Sequence, residues 1–203
     1  MLWIISPHLG DDWRSVQKYF VSKYTSQKYK LIQFPVPNGV KHIKALNKCM
    51  KVLKKFVKPD DLCVVFDSDA WPVNKNWIKI CSAYLKEKKY CAVQRTEADD
   101  GRHIAHPCFV CWPASRNLEW ATHGPAKNPH VKGSENQNIW KGFKRTNAHE
   151  LHPRLYSIYG NIVYHHGAGS RDVSGEHKFV KGLQYQTDFW ANPGKFIRRL
   201  RDE

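Results

Sequence analysis

The 203-residue chain is expected to form one α/β domain, a mostly parallel central sheet flanked by helices. Short, nearly continuous apolar runs alternate with longer segments of helical periodicity through residue 94, as in strands buried on both faces by crossover helices. A hydrophobic content of 41% supports a substantial core. No repeat, low-complexity tract or second domain interrupts the pattern. Residues 1–203 are therefore assigned to a single domain with a basic carboxy-terminal segment from about residue 172.

The elements follow in order. Residues 2–6 form the first strand, 11–24 a helix and 29–36 the second strand, after which Pro37-Asn38-Gly39 breaks the chain. Residues 40–57 carry Ile43, Leu46, Met50, Leu53 and Val57 on one helical stripe, with lysines on the other face. Residues 62–66 form a buried strand, 77–89 an amphipathic helix and 91–94 another strand. Asp99-Asp100-Gly101 is a turn, and residues 105–112 return as a strand. Residues 122–133, rich in Gly, Pro, Asn and His, form a loop of a length that serves binding or gating, a candidate lid. Ser134 caps a short helix over 135–143, and residues 155–164 make one last strand running into His165-His166.

The most informative stretch is Asp67-Ser68-Asp69, which directly follows the apolar run Leu62-Cys63-Val64-Val65-Phe66. Residues i and i+2 of a strand share a side, so both carboxylates can address one point past the strand end. Two acids held together repel unless a cation joins them, and oxygen ligands of this kind suit hard divalent ions. The alternative is a solvated turn at a strand end.

Composition narrows the partners. Thirty-three Lys and Arg against 18 Asp and Glu leave a net charge of +15. Such a field attracts polyanions: nucleic acid, anionic glycan or an acidic membrane surface. A basic surface kept only for solubility is the plainer account. No run approaches the roughly 20 apolar residues of a membrane span, and charges at Asp11 and Asp12 arrive too early for a signal peptide, so a cytoplasmic location is expected. The six cysteines fall mostly in apolar stretches and are expected to be reduced core residues without disulfides. Cys108 and Cys111, with His103 and His106 upstream, suggest a zinc site, but on a strand those two thiols face opposite ways. There is no Walker loop and no Gly-x-Gly-x-x-Gly, so kinases and dinucleotide enzymes lack support.

Asp67-Ser-Asp69-Ala-Trp-Pro72, with Trp77 opening the next helix, resembles the acid-x-acid signature of GT-A-fold glycosyltransferases, a Rossmann-like class. Asn38-Gly39 with Ala45 and Asn47, before it, and Ser134-Glu135-Asn136-Gln137 with Ile139-Trp140 and His165-His166, after it, are similar to other motifs of that family, in the same order. The sequence departs from the family at Asn136, where a second acid is usual. The resemblance spans residues 2–171 and implies a nucleotide-sugar donor, UDP-linked by preference, bound with Mn²⁺ or Mg²⁺. It implies metal ligation by Asp67, Asp69 and one of His165 and His166, with Asp69 the direct carboxylate ligand. Asp67 would hold ribose hydroxyls or reach the metal through water. Pro7, Asn38, Ser68 and Arg171 would complete the donor site, and Glu135 would be the base of an inverting reaction. Glu135 also has a plain role as a favourable charge in the first turn of a helix.

Lysines and arginines over 41–58, 127–144 and 178–201, interleaved with Trp140, Phe143, Tyr185, Phe189 and Trp190, are similar to the mixture on nucleic-acid binders. Such a surface fits a DNA acceptor, and the chain resembles in outline the viral enzymes that glucosylate hydroxymethylated cytosines in their own genomes, which implies that acceptor with the base flipped out. Transfer to a capsular, lipopolysaccharide or viral glycan is the alternative, and a non-catalytic nucleic-acid-binding module is a third. The cation site requires Asp69 to lie within about 10 Å of His165 or His166, given ligand distances of roughly 2.0–2.6 Å.

Overall fold

In a computed structural model, β1 (Leu2–His8) is buried along its whole length because it is flanked on both edges. The structure describes residues 1–8, 13–37, 40, 42–87, 90–96, 103–116, 119–120, 131–132, 145–146, 157–159 and 162–165. After β1 come α1 (Arg14–Tyr24), β2 (Tyr29–Pro35), α2 (His42–Leu53), β3 (Leu62–Phe66), β4 (Ala70–Pro72) and α3 (Trp77–Leu85). Then follow β5 (Cys91–Thr96), β6 (His103–Pro113), β7 (Glu119–Trp120), β8 (Val131–Lys132), β9 (Arg145–Thr146), β10 (Ser157–Tyr159) and β11 (Val163–His165).

The main sheet has the order β2-β1-β3-β6-β5. The α/β class stands, but the mostly parallel expectation needs correction. β1 runs parallel to β2 and β3, whereas β6 is antiparallel to both β3 and β5. The reason lies in the connections. Parallel neighbours need a crossover of a dozen or more residues, which α1 and α2 supply, but only residues 97–102 join β5 to β6. So short a link returns the chain antiparallel.

Two further expectations are revised. The expected strand over 155–164 is two strands, β10 and β11, paired antiparallel with Ser157 opposite His165. Three residues, 160–162, separate them, and Gly160-Asn161 in the sequence is a turn signal that the periodicity argument overlooked. The expected loop over 122–133 includes β8, which pairs with β7. The turn at 99–101, the helix over 135–143 and the basic segment from 172 lie outside the described residues.

Packing explains the helices. α1 buries Val16, Phe20 and Val21 at helical spacing, and α2 buries Ala45, Leu46, Cys49, Met50 and Leu53. α3 contributes Trp77 and Cys81, with Trp77 meeting Phe66 and Phe109 at 5.9 and 6.2 Å between ring centroids. A second aromatic stack joins α1 to the small sheet β4-β11-β10-β9: Phe20 stacks on Trp71 at 5.4 Å, and Trp71 meets Tyr164 at 4.8 Å. All six cysteines are buried free thiols. No helix among the described residues is long and apolar enough to cross a membrane.

Candidate metal centre

β3 delivers the acidic pair to the carboxyl end of the sheet, and there the chain turns. The Ala70 amide donates to the Asp67 carbonyl at 3.1 Å, so residues 67–70 form a turn before β4. The Asp67 amide is itself fixed, donating to the Cys108 carbonyl on β6 at 3.0 Å. The two carboxylates therefore converge because the chain folds back, not because they alternate along a strand. That corrects the geometry expected from the spacing alone.

β4 then brings in the third ligand. It pairs antiparallel with β11, setting His165 opposite Ala70. His165 Nε2 consequently lies 3.5 Å from Asp69 Oδ1 and 3.9 Å from Asp67 Oδ2. One ligand atom from each of Asp67, Asp69 and His165 falls within 4.8 Å of the others. An ion about 2.2 Å from each ligand spans pairs up to about 4.4 Å apart, and the two His165 separations fall inside that limit. Two carboxylates and an imidazole suit Mn²⁺, and Mg²⁺ less well because of the nitrogen.

Electrostatics explain why the cluster tolerates its own charge. Burial pulls the His165 pKa down, but the Cys108 and Asp69 charges and hydrogen bonds with both push it up, and they win, leaving it well above its usual value. The raised pKa favours the protonated ring, whose charge is opposite to that of the acids. Burial raises the Cys108 thiol, with the His165 charge and hydrogen bond opposing and the two aspartates adding.

Of the expected site residues, Asp67, Asp69 and His165 come together, and Ser68 is buried between the acids. Pro7 is buried near the carboxyl end of β1, the strand beside β3. Asn38, Glu135, His166 and Arg171 lie outside the described residues; of the His165-His166 pair, His165 is the one described, and it lies beside the acids.

Two residues at the centre were not expected there from sequence. Cys108 was assigned to the core strand, and its thiol hydrogen-bonds His165. Gln17 is a polar side chain within the apolar stripe of α1, and that mismatch was the available signal. The Cys108–Cys111 zinc alternative does not fit. Cys111 instead joins Cys81 and Cys91 in a separate thiol cluster, away from Cys108. The lysines also divide by location. Lys54, Lys55 and Lys58 are exposed on the link between α2 and β3, which enters β3 at the end opposite Asp67.

No protein-family model and no curated protein matches the chain. Among solved structures, the crystal structure of A197 from STIV is similar over 92% of this chain and 76% of its own, at 8% identity and a TM-score of 0.35.

Proposed function

We propose that the chain is a metal-dependent glycosyltransferase of the GT-A type. It transfers a sugar from a nucleoside-diphosphate sugar, UDP-linked by preference, to a hydroxyl on a polyanionic acceptor. The single observation that supports this most is the convergence of Asp67 and Asp69 at a strand end on His165, 3.5 Å from Asp69. A lone acid pair is commonplace. An acid pair joined by an imidazole from nearly a hundred residues away in sequence is what a cation site requires.

When bound at Asp67, Asp69 and His165, a divalent ion supplies Lewis-acid stabilisation of the departing diphosphate. The chain's residues do the rest. Asp67 orients the ribose end of the donor, with Pro7, Asn38 and Ser68 lining the nucleotide. Glu135 takes the proton of the acceptor hydroxyl as its oxygen bonds to the anomeric carbon, and the carbon–phosphate-oxygen bond breaks with its electron pair leaving on the diphosphate. Arg171 neutralises the charge that develops there. The net charge of +15 favours a polyanionic acceptor, and the resemblance to viral enzymes that glucosylate their own genomes makes hydroxymethylated cytosine in DNA the acceptor of choice.

A donor screen read by mass spectrometry tests the proposal. Several nucleotide-sugars with Mn²⁺ are offered against hydroxymethylated DNA, unmodified DNA and simple glycans. The expected result is release of one nucleoside diphosphate and a hexose mass gain on the modified DNA. Transfer to a glycan reassigns the acceptor, and no consumption of any donor overturns the proposal.

A further inference from the structure

Gln17 on α1 is fully buried, and its carboxamide reaches across to the turn that carries the acids. Its Nε2 lies 2.8 Å from the Asp67 carbonyl oxygen, 2.9 Å from the Ala70 carbonyl oxygen and 3.1 Å from Ser6 Oγ. Backbone carbonyls only accept, so the amide orientation is fixed with Nε2 towards the turn. Oε1 then faces the other way. There it accepts from Gln33 Nε2 at 3.3 Å and meets His8 Nε2 at 3.1 Å. Because Oε1 can only accept, His8 Nε2 must carry a proton.

We propose that Gln17 is a positioning residue for the acid pair Asp67 and Asp69, an inference that rests on the metal-dependent reading above. The two carbonyls it holds bracket the three residues Asp67-Ser68-Asp69 and leave little freedom for the backbone between them. Asp67 is also tied to β6 through its amide, and Ala70 to β11 through β4. Gln17 is the third tie, from the helix layer. Together they hold both carboxylates against His165 before any ion arrives, so binding needs no rearrangement of the turn. Gln33 and His8 hold the carboxamide in turn, with Gln33 Nε2 also donating to the Arg14 carbonyl at 2.8 Å.

The test uses Gln17→Leu, which keeps the volume and removes both donors. Gln17→Met is the more adaptable substitute should Leu not fold. Two readouts are taken well below the melting temperature: the Mn²⁺ dissociation constant and hydrogen exchange at the Ala70 amide. Loss of an outer-shell partner typically weakens a metal about 10–100-fold. That loss is expected here, with faster exchange at Ala70. Val16→Ala, on the same helix and facing the core, is the control, lowering the melting temperature with the dissociation constant unchanged. An Mn²⁺ affinity within about twofold of wild type in the Gln17 variant overturns the inference. Absence of Mn²⁺ binding in the wild-type protein would instead remove the metal reading, and the exchange rate at Ala70 would then decide the clamp by itself.

Discussion

Replacing Asp69 by Ala separates a cation site from an ordinary acidic turn. In the absence of metal, the carboxylates of Asp67 and Asp69, within 4.8 Å of each other, repel by about 3 kcal/mol at an effective dielectric of about 20. The His165 imidazolium, 3.5 Å from Asp69, attracts it by about 5 kcal/mol on the same scale. On these two charges alone, with the ring protonated, removing Asp69 costs the metal-free protein about 2 kcal/mol, or about 4–8 °C of melting temperature for a domain of this size. With Mn²⁺ the balance differs. At a concentration of about 100 times its dissociation constant, linkage stabilises the wild-type protein by about 2.7 kcal/mol, a rise of roughly 5–11 °C. If the variant binds about a hundredfold more weakly, the same Mn²⁺ yields about 0.4 kcal/mol, or roughly 1–2 °C. Differential scanning fluorimetry with and without Mn²⁺ measures both shifts. An Asp69→Ala protein that keeps the full Mn²⁺ shift would refute the reasoning, because the ion would then be held elsewhere.

Three further outcomes follow from the geometry. His165→Ala should lower the preference for Mn²⁺ over Mg²⁺ as well as the affinity, since it removes the nitrogen ligand; titration calorimetry with both ions checks this, and an unchanged ratio would exclude His165 from the site. Asp61 accepts from the Lys58 amide at 2.8 Å and Trp3 Nε1 at 2.9 Å; the Lys58 amide is the main cause of a pKa held below the usual carboxylate value, burial opposing. A depressed folded pKa gives stability that is complete above the unfolded value of about 3.9 and is lost as pH falls through the folded one, so Asp61→Asn should flatten the acid limb of a urea-stability profile below about pH 4, and an unaltered limb would assign acid sensitivity to other groups. Trp71→Ala should cost about 3–5 kcal/mol by calorimetry, because the ring is buried between Phe20 and Tyr164; a loss under about 1 kcal/mol would mean that this stack does not hold the small sheet to α1.

The site was legible where chemistry is local. The run Leu62–Phe66 followed by two acids marks a strand and its end without any tertiary knowledge, and the strand was found with those bounds. Pairing was less legible, because periodicity reports which faces are buried and not which edges meet. The brevity of the link over 97–102 was in the sequence and carries the antiparallel return of β6, yet alternating elements pointed to a parallel sheet. His165 was named together with His166, by resemblance to a family histidine that follows a last strand, and the expected single strand is a hairpin. Gln17 and Cys108 were missed for a common reason. Their roles come from contacts with Asp67, Ala70 and His165, all far away in sequence, and neither the helical nor the strand period encodes such partners.

The most direct measurement is a Mn²⁺ titration followed by electron paramagnetic resonance, with spin-echo modulation to detect nitrogen bound to the ion. The expected result is one tightly held Mn²⁺ per chain with modulation from a single imidazole nitrogen, lost in His165→Ala. Bound Mn²⁺ without nitrogen modulation, or modulation that survives in His165→Ala, would contradict a cation shared by Asp67, Asp69 and His165.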